Sequence, residues 1–155
     1  MADSKHILIV WHSQSGRNAQ MKDWVAGAAQ AVEQVAVRCR AASEAGLEDL
    51  KWADGLMFVG PEYLGHLSGG MKDFFDRTFY PAQEYQLNLP YVQVISSGND
   101  GSNAERELDR IAKGYPLRKV NDSLIWRGEL SDEAQNAAQE LGEAFATGLQ
   151  MGIFG

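Results

Sequence analysis

Residues 55–80, GLMFVGPEYLGHLSGGMKDFFDRTFY, contain the stretch that decides the fold. An apolar run over residues 56–59 stops at a Gly-Pro pair, and a short loop holding Tyr63 and His66 follows. The residues after this loop recur at helical spacing: Met71, Phe74, Phe75 and Phe79. A strand that ends in a Gly/Pro/Tyr loop and turns at once into a helix builds half of a ligand crevice in an open α/β sheet.

Four further strand-like runs flank this stretch, and helical patterns separate them. The runs are residues 6–12 (HILIVWH), 35–41, 91–97 (YVQVISS) and 122–127 (DSLIWR). Strict alternation of strands and helices predicts a parallel sheet with right-handed crossovers and helices on both faces. We therefore expect an α/β, doubly wound, five-stranded parallel sheet of order 2-1-3-4-5, formed by residues 1–155 as a single domain. Its crevice would lie at the carboxyl ends of strands 1 and 3.

Local patterns refine two of these elements. The second strand alternates, with Val35, Val37 and Cys39 pointing inward and arginines pointing outward, which predicts a strand near a sheet edge with Cys39 in the core rather than acting as a nucleophile. Ser102, with Glu105 three residues later, resembles a capping box at the start of the fourth helix. Helix starts and the edge strand are thus predicted from neighbouring residues alone.

Composition excludes several classes of protein. The net charge of −7 argues against nucleic acid or an anionic membrane as partner. No apolar run approaches the ~18 residues of a membrane span, and no leader pattern is present, so a cytoplasmic protein is expected. The single cysteine excludes an intrachain disulfide, and the histidines show no ligand spacing, so no metal site is expected.

The loop after the first strand, residues 13–18 (SQSGRN), offers hydroxyls, backbone N–H groups and a helix N-terminus together. Such a combination is a ready site for a phosphate. The dinucleotide pattern G-x-G-x-x-G and the nucleotide loop G-x-x-x-x-G-K are both missing here, so NAD and ATP are poor candidates for this loop. The alternative is that these residues only form a turn and a helix cap.

Two motifs resemble a known family. The pattern S-x-S-G-x-N resembles the T/S-x-T/S-G-x-T phosphate loop of flavodoxin-like proteins. The pattern P-x-Y-x-G-x-x-S-G-x-M-K-x-F-x-D-R, residues 61–77, resembles the flavin loop and following helix of NAD(P)H-dependent FMN and quinone reductases, including the tryptophan-repressor-binding-protein type. The resemblance covers essentially the whole chain in element order. It implies a flavodoxin-like fold, FMN as cofactor and NAD(P)H as reductant.

The resemblance assigns roles to individual residues. The FMN phosphate would be held by Ser13, Ser15, Gly16, Arg17 and Asn18. One side of the flavin ring would be lined by Pro61, Glu62, Tyr63, Leu64 and Gly65. The pyrimidine edge of the ring would meet backbone groups of Ser97, Gly98, Asn99 and Asp100. Tyr63 suits its role because an aromatic ring packs on a flat π-system while its hydroxyl keeps a polar partner.

Two positions depart from the family pattern. Asn18 stands where the family usually has a hydroxyl residue, although an asparagine can still cap a helix and donate a hydrogen bond. Glu62 stands where many relatives carry a small or neutral residue. If its carboxylate faces the flavin, it would disfavour added negative charge and lower the FMN potential. The alternative is that Glu62 points to water.

Other candidate residues have a functional and a structural interpretation. His66 lies near the expected substrate position, where it can assist proton transfer, or it is a partly exposed loop histidine. Asp76 and Arg77 are expected to form structural ion pairs. Relatives are often dimers or tetramers, so a homo-oligomer is an option. Ile153 and Phe154 would then form a contact, or they pack back on the core.

The motifs favour an FMN-binding oxidoreductase that uses NAD(P)H to reduce FMN or a quinone-like acceptor. An electron-carrier flavodoxin that passes single electrons between partner proteins is an alternative, and the acidic charge suits it. A flavin-free module on the same scaffold is another, because a fold does not guarantee a function. NADPH oxidation with menadione separates the first two functions, and a yellow purified protein excludes the third.

Overall fold

Strands and helices alternate in the computed structural model, which describes residues 4–155. The strands are β1 (Lys5–Trp11), β2 (Val35–Ala41), β3 (Gly55–Gly60), β4 (Glu62–Tyr63), β5 (His66–Leu67), β6 (Leu89–Ser97), β7 (Leu117–Lys119) and β8 (Leu124–Arg127). The helices are α1 (Arg17–Gln30), α2 (Leu47–Trp52), α3 (Gly69–Gln83), α4 (Ser102–Ala112) and α5 (Asp132–Met151).

The main sheet is parallel and has the order β2-β1-β3-β6-β7, with β8 also paired to β6. The predicted 2-1-3-4-5 order is confirmed, except that two short strands share the fifth position. This is possible because β6 has nine residues: its first part, from Leu89, pairs with β7, and its last part, from Val94, pairs with β8. Local patterning predicted β8 and missed β7, which has only three residues.

Two apolar layers cover the sheet, one on each face. Along β1, Leu8 and Val10 face the layer that contains α3 and α4, while Ile7 and Ile9 face the layer that contains α1 and α5. All four side chains are fully buried. Because both faces of a central strand are covered, its successive residues are all apolar, as residues 7–11 of β1 are.

The edge strand β2 corrects one prediction. Cys39 is exposed rather than in the core. Val35 and Val37, from the same alternating set, are partly buried and pack against the layer of α1 and α5. Since β2 has a neighbouring strand on one side only, its far end receives little cover, and alternation alone overestimated the burial of its third inward residue.

The end of the chain follows α5. Phe154 packs back on the core, with its ring stacked on Phe145 at a centroid distance of 5.7 Å. Ile153 remains 66% exposed. Of the two expectations for this tail, packing on the core holds for Phe154.

Within residues 4–155, no helix has both the length and the apolar character needed to cross a membrane. The same residues contain no group of three or more His, Cys, Asp or Glu side chains that could hold a metal ion.

Candidate flavin-binding crevice

Three helix N-termini meet at the carboxyl edge of the sheet. Strands β1, β3 and β6 are parallel neighbours, so their ends lie along the same edge, where the chain turns into α1, α3 and α4. The first N–H groups of a helix have no intrahelical acceptor and carry partial positive charge. The three predicted segments, residues 13–18, 61–65 and 97–100, are thus brought to one place.

The N-terminus of α1 lacks a side-chain cap among residues 4–155. Its N-cap is Gly16, which has a φ of 96° and therefore the left-handed conformation that glycine adopts readily. Within the described chain no side chain caps this helix, and its first turn has no acidic residue. Ser13 Oγ accepts the Gly16 N–H at 3.2 Å, which closes the loop, and Ser15 is exposed. Arg17 makes one loose, solvent-exposed ion pair with Glu129 at 3.6 Å.

Asn18 joins α1 to the end of β6. Its side chain is 3% exposed, its Oδ1 accepts the Ser96 N–H at 2.9 Å, and its Nδ2 donates to the Ser96 carbonyl at 3.1 Å. The side-chain amide thus pairs with Ser96 much as a peptide group of a neighbouring strand would. The side chain that was predicted to hold a phosphate therefore has both of its polar atoms hydrogen-bonded to β6.

Residues 62–67 form a small hairpin at the end of β3. Glu62 and Tyr63 pair antiparallel with residues 66–67. The turn consists of Leu64, with a φ of 53°, and Gly65, with a φ of 79°, and two consecutive positive φ angles are characteristic of type I′ hairpin turns. The Leu64 side chain at the tip is 99% exposed. A short hairpin of this kind gives the loop a defined shape.

Tyr63 stands between this hairpin and the loop after β1. Its ring meets the His12 ring edge-on, with centroids 5.9 Å apart and an interplanar angle of 80°. Burial raises the pKa of the Tyr63 hydroxyl, opposed by a backbone hydrogen bond from Gln14. The hydroxyl therefore stays protonated at neutral pH, and contacts from two segments orient the ring.

Glu62 caps α4 from a distance. Its Oε1 accepts the N–H of Gly101 at 3.0 Å, and its Oε2 accepts the N–H of Ala104 at 3.0 Å. This corrects the predicted capping box: Ser102 donates its hydroxyl to Asp100, and Glu105 pairs with Lys119 at 2.9 Å. The cap comes from another strand end because the hairpin brings a carboxylate to the helix start. Glu62 is half-buried and does not point to water.

Further contacts fasten the hairpin to α4. Asn103 donates its amide to the Gly65 carbonyl at 2.6 Å, and Glu107 accepts the Leu67 N–H at 2.8 Å. His66 lies 3.4 Å from the same Glu107 carboxylate, with 68% of its side chain exposed. His66 is thus an exposed residue of β5 rather than of a loop. The hairpin is thus held by α4 at several points along its length.

The loop after β6 is tied to β8. Arg127 donates to the Asp100 carbonyl at 2.7 Å, and Gly128 donates its N–H to the Ser97 carbonyl at 2.9 Å. The Ser102 hydroxyl and Arg127 hold the pKa of Asp100 below its usual range. Residues 98–100 remain exposed between these anchors, so their backbone groups are accessible in a fixed loop.

Sequence reasoning missed His12 as a residue of the crevice. Its Nδ1 lies 2.9 Å from Ser68 Oγ, which also accepts the Met71 N–H at 3.3 Å and so caps α3. A Cβ placed on Gly70 would lie 2.8 Å from the His12 ring, so this glycine permits the close approach of the ring to α3. Burial lowers the pKa of His12, which is therefore neutral at pH 7. The available signal was its place at the last position of the first apolar run.

The helix residues of the motif have structural roles. Lys72 pairs with Asp76 at 2.7 Å, and Arg77 pairs with Asp73 at 2.9 Å. Arg77 also donates to the carbonyl of Ala42. The structural pairing that was expected for Asp76 and Arg77 is confirmed, each with a partner four residues away rather than with each other.

Comparisons with known proteins agree with this architecture. Residues 40–115 match the family model described as NADPH-dependent FMN reductase. A protein named flavodoxin from Aquifex aeolicus (strain VF5) is 37% identical over 70 residues, which span 45% of this chain and 38% of that protein. The matched segment is thus well under half of that relative.

Solved structures with the same fold cover nearly the whole chain. A flavodoxin from the domain Archaea has a TM-score of 0.82 at 16% identity and covers 94% of this chain and 99% of its own. A flavodoxin, WrbA-like protein from Agrobacterium tumefaciens has a TM-score of 0.80 at 19% identity and covers 96% of this chain and 99% of its own. These likenesses confirm the flavodoxin-like fold. The family-model match, which is limited to residues 40–115, agrees with the FMN-reductase type that the motifs resemble.

Proposed function

We propose that the crevice binds FMN and that the protein is an oxidoreductase that uses NAD(P)H to reduce FMN or a quinone-like acceptor. The observation that carries this proposal is the α1 N-terminus, which no side chain of residues 4–155 caps and which stands beside the Tyr63 wall at the carboxyl edge of the sheet. The match of residues 40–115 to the NADPH-dependent FMN reductase model supports the same assignment.

The phosphate end of FMN fits the residues after β1. The N–H groups of the first turn of α1 point at the loop, and Ser13 and Ser15 add hydroxyls. A Cβ built on Gly16 meets no atom within 4 Å, so the backbone there borders open space. Ser96 Oγ, in the β6 residue that Asn18 binds, is buried and has no hydrogen-bond partner among residues 4–155. An anion at this loop would meet donors without displacing a protein group.

The ring end fits the opposite wall. Tyr63 offers an oriented aromatic ring, and residues 97–100 offer backbone donors and acceptors. The exposed Leu64 leaves the outer side of the hairpin open to a nicotinamide or an acceptor. When bound, FMN supplies the hydride-transfer chemistry, and the protein binds, orients and tunes it. No acid–base side chain is required for this role.

An electron-carrier flavodoxin is the second candidate. The relative from Aquifex aeolicus that carries this name and the net charge of −7 favour it. The helix motif over residues 71–77 favours the reductase, and Leu64 stands where classical carriers usually have an aromatic shield over the ring. A catalytic assay separates the two functions.

The test is a titration of apo-protein with FMN, followed by absorbance and flavin fluorescence, with riboflavin as a control that lacks the phosphate. We expect saturable FMN binding and riboflavin binding weaker by about tenfold or more, because each 1.4 kcal/mol of lost phosphate interaction is a factor of ten. Absence of FMN binding would refute the proposal and leave a flavin-free module.

The second stage measures NADH and NADPH oxidation by the FMN-loaded protein, with menadione or excess FMN as acceptor. Multiple turnovers with either nucleotide support the reductase. A protein that binds FMN but does not oxidise either nucleotide faster than free FMN would instead be a carrier.

A further inference from the structure

We propose that Glu62 is a positioning residue that neutralises the N-terminus of α4 and thereby weakens the binding of reduced FMN relative to oxidised FMN. This inference rests on the proposed FMN site. It states that the Glu62 carboxylate, acting through α4, affects the affinity of the site for reduced FMN relative to oxidised FMN.

Glu62 has two backbone N–H partners, and it forms no salt bridge with a Lys, Arg or His side chain of residues 4–155. Its oxygens accept from Gly101, the N-cap of α4, and from Ala104, the third residue of the helix. Neighbouring carboxylates have cationic partners: Arg127 for Asp100 and Lys119 for Glu105. Glu62 is thus the carboxylate of this rim whose partners are N–H groups at a helix start rather than a cationic side chain.

The charges at this rim do not cancel. A helix N-terminus is equivalent to about half a positive charge, whereas a carboxylate brings a full negative charge. Bound in this way, Glu62 leaves a net negative end where α4 alone would present a positive one. The adjoining residues 98–100 are those that the flavin-loop resemblance places at the pyrimidine edge of the ring.

The consequence depends on the redox state of the flavin. Reduction adds electron density to the ring, and a nearby negative charge disfavours a ligand that gains negative charge. Half-burial of Glu62 limits screening by solvent and salt. We therefore expect Glu62 to weaken the binding of two-electron-reduced FMN more than the binding of oxidised FMN.

The experiment compares Glu62→Gln with Glu107→Gln. Both changes remove one negative charge and alter an acceptor of a backbone N–H that ties the hairpin to α4. Only Glu62 binds the N-terminus of the helix. Dissociation constants are measured for oxidised FMN by fluorescence and for reduced FMN under anaerobic conditions.

For Glu62→Gln we expect the ratio of the reduced to the oxidised dissociation constant to fall about tenfold, which is a rise of about 30 mV for a two-electron couple. For Glu107→Gln we expect a ratio within about twofold of the wild type, because Glu107 lies in the middle of α4 and does not bind the N–H groups at its start. Glu62→Asp, which keeps the charge but shortens the reach, should weaken both forms and leave the ratio unchanged.

Other results would overturn the inference. If Glu62→Gln weakens both redox forms equally, Glu62 has only a structural role. An equal fall in the ratio for Glu107→Gln would show a general charge effect instead of an effect at α4. If the wild type fails to bind FMN, the proposed function itself fails, which is a distinguishable outcome.

A second variant leaves Glu62 in place in case Glu62→Gln does not fold. Asn103→Lys adds a cation to the first turn of α4, the turn in which the Ala104 N–H binds the Glu62 carboxylate. The same electrostatic argument predicts a ratio lower than that of the wild type by about threefold. An unchanged or higher ratio would contradict the role assigned to this helix end.

Discussion

The N-termini of α1 and α4 have the same backbone design and opposite occupancy. Each helix begins after a glycine with positive φ, 96° at Gly16 and 87° at Gly101, and neither glycine can cap its helix with a side chain. The α1 terminus has no capping carboxylate from the described chain, whereas Glu62 occupies the α4 terminus. The α1 end is therefore the one that we propose for an external anion, and the α4 end already holds a carboxylate of the chain.

The difference arises from where the hairpin packs. The chain leaving β3 folds against α4, and Glu62, Asn103 and Glu107 supply the contacts. Among the described residues no side chain caps α1, and its preceding loop is held by Ser13 at Gly16 and by the contact of Tyr63 with the Gln14 backbone. The free N–H groups at a helix start can bind an external ligand only where no side chain of the protein already accepts their hydrogen bonds.

The largest effect is expected where α1 is tied to β6. Asn18→Ala leaves the buried N–H and carbonyl of Ser96 without partners and should lower the free energy of unfolding by about 2–4 kcal/mol. Urea denaturation measures this change in the free energy of unfolding. Asn103→Ala, which removes an exposed amide from the α4 side, is the control and should cost less than about 1 kcal/mol. Equal losses would contradict the anchoring role of Asn18.

The two cap glycines should differ in their tolerance of a side chain. Gly101→Ala combines a positive φ with a Cβ only 2.7 Å from Ile125 Cγ2, so we expect a loss of about 2–3 kcal/mol in unfolding free energy. Gly16→Ala has the same φ penalty but meets no atom within 4 Å, so about 1–2 kcal/mol is expected. Thermal and urea unfolding measure both. A larger loss at Gly16 would show that its surroundings are crowded.

A carboxylate placed at α1 should make it resemble α4. Ser15→Asp puts a negative charge beside the open helix end, and we expect FMN affinity to fall about tenfold while the apo-protein gains about 0.3–1 kcal/mol. Fluorescence titration and urea unfolding give the two values. Riboflavin affinity should stay the same, because riboflavin lacks the phosphate. A parallel loss for riboflavin would place the effect elsewhere.

The smallest effect concerns α3, whose cap Ser68 is bound by His12. Burial lowers the folded pKa of His12 below its unfolded value of about 6.5, so the unfolded chain binds more protons between the two values. This contribution to stability is complete above pH 6.5 and is lost as pH falls through the folded pKa. Unfolding free energies of the wild type and His12→Gln, measured from pH 7.5 to 5, should differ in slope. Identical slopes would exclude His12 as the titrating group.

Local patterns predicted β1, β2, β3, β6 and β8, the sheet order and the placement of the loops, because a buried parallel strand must be apolar and its carboxyl end must meet a helix start. The short strands β4, β5 and β7 were missed. The side chains of Ser68 and Ser131 cap α3 and α5, and a cap of this kind lies within three residues of the N–H that it accepts. The capping box at Ser102 was wrong, since the carboxylate that serves α4 comes from another strand end. Cys39 was wrong because alternation does not report how far a helix covers an edge strand.

The sequence by itself determined the fold and the three segments that form the crevice, since both depend on apolar periodicity and on short motifs. Only the tertiary structure decided which polar side chains already have hydrogen-bond partners within the protein. Asn18 turned out to bind β6 and Glu62 to bind α4, over separations of 78 and 39 residues. Hydrogen-bond partners at such distances depend on how loops pack, and a single sequence carries no local record of that packing.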